Sequence, residues 1–183
     1  MHLAIFLDAE TVTGPVAWLD ACRDALYAGL RDDNTWFSRM ALPVAQLRNR
    51  RAEGGFWRQM LNREGSAFLD VKKAGIFPVV HGVRVMALEA GIRASNTFDR
   101  IEALASEGML EKMLADDLVE SLTFLMRLRL EAGLELFCAN KTVTNEVDTA
   151  SLSTLDKDLL KDALLVIKRF KHMINRRYHL DRF

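Results

Sequence analysis

A chain of 183 residues whose 25 lysines and arginines are matched by 25 aspartates and glutamates carries no net formal charge. Nothing global therefore draws it to nucleic acid or to an acidic membrane surface. Half of its residues are apolar and it holds only 10 glycines and 3 prolines, a balance that excludes disordered and fibrous classes and favours one helix-rich globular unit.

The opening MHLAIFLDAE has too short an apolar run for a signal peptide. No segment approaches the roughly eighteen uninterrupted apolar residues of a membrane span. Within the opening, Leu3-Ala4-Ile5-Phe6-Leu7 ends at Asp8 and is bounded by Gly14-Pro15, so it is expected to be a buried strand, the only one in the chain. A lone strand leaves backbone groups unpaired and implies a missing sheet or an added partner. From Pro15 a helix is expected to about Leu30, with Trp18, Ala21, Cys22, Ala25 and Leu26 on one face. A second is expected from about Asn34 to Leu47. Arg48 to Gly55 is a basic loop, and Phe56 to Leu61 has room for one or two helical turns.

The stretch DVKKAGIFPVVHGVRVMALEAGI, Asp70 to Ile92, places two lysines, a glycine and a proline before a nearly all-apolar helix. If the helix starts near Pro78, free N–H groups at about Ile76 to Val80 meet Lys72 and Lys73, which is a cradle for phosphate or carboxylate. The alternative is a core helix with two solvated lysines ahead of it. His81 and Arg84 share a face among valines, so Arg84 needs a partner. Asn96 is a cap for a helix ending near Gly108, and a long helix is expected from about Leu110 to Phe137. On that helix Arg129 falls between Leu125 and Ala132 on the buried stripe and needs compensation too. Asp70, Glu89, Asp99, Glu131 and Asp148 are candidate counter-ions. An internal ion-pair network and a ligand site are both open for these arginines, as are a satisfied core histidine and a catalytic base for His81.

Lys141 to Ala150 is a polar loop holding Asn145 and Asp148. Ser153 with Asp156 forms a capping-box pattern, followed by a second long helix with Leu155, Leu159, Ala163, Val166, Ile167, Phe170 and Ile174 buried. Its basic end, Lys168 to Arg182, has a sufficient cause in the helix dipole and makes only a weak case for nucleic acid. The fold class is all-α: a bundle with two long antiparallel helices, shorter flanking helices and one remnant strand. Cys22 and Cys138 lack a CxxC pattern or a histidine pair, which argues against a zinc site or disulfide framework and fits a reducing cytoplasmic setting. Phosphate-binding glycine loops, HExxH and GxSxG are absent. Gly65-Ser66 has no paired DxD carboxylates after it to hold magnesium.

FLDVKKAGIFPVVHGVRVMALEAGI, NTFDRIEAL, FLMRLRLEAG and NEVDTASLSTLDKDLLKDALLVIKRF together resemble the nucleotidyltransferase substrate-binding domain, over about Phe56 to the C-terminus. In bacteria that domain follows a catalytic domain similar to that of protein-PII uridylyltransferase, often with cyclic-nucleotide-binding or CBS modules, which implies a signalling role. IFLDAETVTG resembles the last strand of that catalytic domain, with Asp8 at its acidic position and Glu10 where an arginine is typical. The resemblance divides the chain into residues 1–50, the tail of the catalytic domain with connecting helices, and residues 51–183, the substrate-binding domain. It places Asp8 near the third carboxylate that assists the metal-binding pair of that domain, a pair this chain does not carry, and matches recurring positions at Asp70, Lys72, Gly75, Pro78, Arg84, Arg129, Asn145, Asp148 and Lys161. Candidate substrate-binding residues are Lys72, Lys73, His81, Arg84, Arg129, Asn145 and Asp148, with Asp8 catalytic only beside a partner domain. Mg2+ and a nucleoside triphosphate are expected for the intact enzyme, and no activity for this chain alone. Expected partners are the catalytic domain or subunit, a nucleotide and a second copy of the chain, with no membrane. The competing reading is a non-catalytic helical module for dimerisation or protein docking.

Overall fold

The computed structural model describes residues 6–30, 35–46 and 68–182. Leu3 to Ile5, the basic loop Arg48 to Gly55, Phe56 to Leu61 and Gly65-Ser66 lie outside the described residues. The described chain forms α1 (Val16–Leu30), α2 (Thr35–Gln46), β1 (Phe68–Asp70), α3 (Phe77–Glu89), α4 (Thr97–Ser106), α5 (Lys112–Cys138), β2 (Glu146–Asp148) and α6 (Thr154–Arg177). A π-helical turn, Lys72–Ile76, leads into α3, and a short 3-10 turn, Leu180–Arg182, follows α6. The mostly all-α architecture agrees with the sequence pattern.

The expected single strand is corrected: Phe6 and Leu7 are helical, and the two strands described lie elsewhere. β1 and β2 pair antiparallel, Phe68 opposite Asp148 and Asp70 opposite Glu146. Leu69 and Val147 point into the core from this ladder while their neighbours point outward. α3 is the central element, apolar nearly all round, as a helix enclosed by others must be. It packs on α2, α4 and α6, while α5 and α6 lie along each other. Ion pairs from Arg127 to Asp156 and from Arg169 to Asp117 show that these two long helices run antiparallel.

Helix ends follow the caps. The Asn96 side chain accepts from the Phe98 N–H at 2.8 Å, and Ser153 Oγ accepts from the Asp156 N–H at 3.0 Å. α3 stops where Gly91 turns left-handed, φ 72°, and the Ile92 N–H returns to the Ala87 carbonyl. Three faces differ from the periodicity. α1 is turned so that Leu19, Arg23, Leu26 and Tyr27 are half-buried and Trp18 is exposed. On α6 the buried line begins at Leu160 and Leu164 while Leu155 and Leu159 face solvent. On α5 it runs through Leu125 and Leu128, which leaves Arg129 exposed.

Candidate functional site

α3 begins earlier than its proline implies. The Phe77 N–H donates to the Lys72 carbonyl, so the helical ladder already passes through the lysines. Pro78 has no N–H to give and its ring crowds the carbonyl four residues back, and a wider π turn relieves that clash. The amides of Ile76 to Val80 are therefore inside a continuous helix and do not form the free end that the sequence led us to expect. The N-terminal end that does exist is served internally. Asp70 Oδ1 accepts from the Lys73 N–H at 2.9 Å, and the Lys73 ammonium lies 3.0 Å from Asp70 Oδ2. Lys72 and Lys73 are both exposed.

Gly75 is buried within the π turn; a Cβ there would come within 2.9 Å of Ile167 Cδ1 and would collide with Leu125. It is a contact point between helices and not a loop residue.

Further along α3, His81 and Arg84 enter an ionic cluster. Arg84 donates from Nε to Asp8 Oδ1 at 3.3 Å and from Nη2 to Asp8 Oδ2. Arg100, on α4, donates from Nη2 to Asp8 Oδ1 at 2.7 Å and from Nε to the Ala94 carbonyl at 2.6 Å. The guanidinium side chains are 14% and 4% exposed and the carboxylate 33%. Burial raises the Asp8 pKa, but the hydrogen bonds and charges of the two arginines outweigh it and hold the carboxyl below its usual range. Asp8 was not among the expected counter-ions. Arg100 was not singled out at all, although it sits four residues before the buried Leu104 on one helix face.

His81 is satisfied on both nitrogens: Nε2–H donates to the Met40 carbonyl of α2 at 2.7 Å, and Nδ1 accepts from Arg84 Nη1 at 3.4 Å. Its ring stacks on Phe77, centroids 5.1 Å apart. Burial, the largest influence, pushes the imidazole below its usual pKa and outweighs the upward pull of the Met40 carbonyl. A neutral histidine leaves the Asp8, Arg84 and Arg100 cluster with one positive charge in excess.

The other candidates gather at the opposite end of α3. Arg129 donates from Nε to Asn145 Oδ1 at 2.7 Å. The Asn145 carbonyl accepts from the Val71 N–H at 3.1 Å, and Asp148 Oδ1 accepts from the Ala150 N–H at 2.9 Å. Lys161 pairs with Asp158 at 2.9 Å. Thus Asp70, Lys72, Lys73, Arg129, Asn145 and Asp148 surround the β1–β2 ladder, whereas Asp8, His81, Arg84 and Arg100 form a separate cluster. At about 1.5 Å of rise per residue, Lys72 and Arg84 are about 18 Å apart along the helix.

Among the described residues no three His, Cys, Asp or Glu side chains come together in a way that could hold a metal ion. Both Asp8 oxygens are already bound by guanidinium groups, so the donor set of the described residues does not fit magnesium.

No curated protein and no solved structure matches the chain. A family model described as "Putative nucleotidyltransferase substrate binding domain" matches residues 34–178. The match starts upstream of the stretch that carried the resemblance in sequence and takes in all of α2, whose Met40 carbonyl holds His81. On that match, which spans most of the chain and nearly all of the helical bundle, the protein belongs to this nucleotidyltransferase substrate-binding domain family.

Proposed function

We propose that this chain is the substrate-binding region of a bacterial, cytoplasmic signalling nucleotidyltransferase, holding a nucleoside triphosphate or an acidic acceptor beside a catalytic domain of the protein-PII uridylyltransferase type. The observation that supports this reading best is the convergence of Arg84 and Arg100 on a single carboxylate. Two largely buried guanidiniums, one charge in excess, attract a further anion more strongly than solvated lysines do, because water screens them less. Guanidinium forks also match the paired oxygens of a phosphoryl group. Arg100 is oriented by the Ala94 carbonyl and Arg84 by neutral His81, so the donors are fixed before a ligand arrives. On this reading Asp8 is the internal charge partner of the pair. The magnesium ligands and the chemical step belong to the catalytic partner.

Calorimetric titration of the folded chain with magnesium-ATP and magnesium-UTP tests the proposal. Arg84→Gln is expected to weaken binding about tenfold or more. The Lys72→Ala, Lys73→Ala double variant is expected to change it little. Nucleotide affinity unchanged in a folded Arg84→Gln chain would remove the arginine pair from the reading. A second reading, a docking or dimerisation module, is favoured by the exposed stripe Met126, Leu130, Leu134 and Phe137 on α5.

A further inference from the structure

A cleft beside the β1–β2 ladder has the opposite electrostatic character. It lies open between the last turns of α5, the ladder and the turn entering α6, with a volume of about 580 Å³. Its floor is apolar: Leu128 and Val147 are buried, and Leu136 and Leu152 are partly so. Phe68, half-exposed, stands at its mouth. Glu131, Glu135, Glu146, Asp148 and Asp156 line it against one cation, Lys141, among the described residues.

Part of this negative charge is used within the fold. Asp156 is bound by Ser153 and Arg127, Glu131 lies 3.9 Å from Arg127, and Asp148 caps the Ala150 N–H. Glu135 and Glu146 form no ion pair among the described residues. Glu146 also stands directly across the ladder from Asp70, whose own charge is met by Lys73. Ala139 at the end of α5 and Ser153 at the start of α6 both line the cleft, so the two opposed helix dipoles offset one another and the acidic side chains set its charge.

We propose that this cleft docks a positively charged, amphipathic peptide segment of a partner protein, with lysine or arginine side chains meeting Glu135 and Glu146 and an apolar side chain on the Leu136 and Leu152 floor beside Phe68. A phosphate is repelled here, which sets the cleft apart from the arginine pair. The chain as a whole is neutral, so attraction for a cation is local to this face and not a general property of the surface. An apolar floor inside an acidic rim selects for both features of the peptide, where either one alone would bind weakly.

The test is fluorescence anisotropy with a labelled peptide rich in lysine and leucine, compared with a glutamate-for-lysine version and a lysine peptide without leucine. Saturable binding of the first peptide alone is expected, weakening by about tenfold in a Glu135→Gln, Glu146→Gln chain, since both side chains are exposed and the fold does not rely on them. Binding is also expected to fall with added salt and to be untouched by Arg84→Gln, so that this proposal and the nucleotide reading fail independently. Equal binding of the charge-reversed or leucine-free peptide, no effect of the double variant, or no saturable binding would each overturn it.

Discussion

His81 shows how a single side chain couples this fold to pH. Its Nδ1 accepts a hydrogen bond from Arg84 Nη1, so protonating it would set two donors and two positive charges against each other inside the core. The folded-state pKa lies below the ordinary 6.5, so the unfolded chain takes up the proton first. The associated stability is complete above about pH 6.5 and drains away as the pH falls toward the folded-state value. His81→Gln, which keeps a donor for the Met40 carbonyl, is expected to flatten the urea-midpoint profile between about pH 7 and 5 relative to wild type. An unchanged slope would assign the acid sensitivity elsewhere. That Arg84 needed an anion was legible from the valines around it, but the identity of that anion was not. Asp8 lies far away in sequence and only the docking of the N-terminal segment brings it near. Arg129 illustrates the opposite error: a one-residue shift of the buried line to Leu128 moves it from the core to the surface.

At the scale of elements, α3 can sit at the centre because glycines let its neighbours approach. A Cβ on Gly82 would lie 2.7 Å from Cε1 of the fully buried Phe170, and Gly75 meets α5 and α6 in the same way. Gly82→Ala brings about 1 kcal/mol of helix propensity, but crowding against a ring without room to move costs about 1–3 kcal/mol. A net loss of about 1 kcal/mol is expected from chemical denaturation, relieved when Phe170 is also cut to leucine. Additive losses in the double variant would place the strain elsewhere. Helix ends were readable because Asn96, Ser153 and Gly91 carry their signals locally. The start of α3 was not, because Pro78 is a common first-turn residue and nothing local announces the π turn ahead of it. The strands were unreadable for a related reason, since three residues hold too little alternation to show a period.

Over the whole molecule, the opposed charge of the arginine cluster and the acidic cleft gives one neutral chain two local sites with different chemical preferences. The α5 stripe adds a third surface: Leu130 and Phe137 are 63% and 67% exposed, at a spacing that puts them on one helix face with Met126 and Leu134. If this face joins two copies, wild-type chain sediments as a dimer and Leu130→Glu as a monomer. A monomeric wild type over the full concentration range would discard the dimer. The all-helical plan was legible from apolar spacing, while this division of charge was not, because it arises from contacts between residues remote in sequence. The β1–β2 ladder carries a last consequence. Phe68 and Asp148 are separated by more than half of the matched domain, whereas α5 and α6 are joined by the nearer connection, residues 139–153. Closing the longer loop costs more chain entropy, so in kinetic terms the α5–α6 hairpin forms early and the ladder late. The ladder wall of the cleft is therefore added near the end of folding and opens first in native-state hydrogen exchange, which makes recognition there a reporter of complete folding.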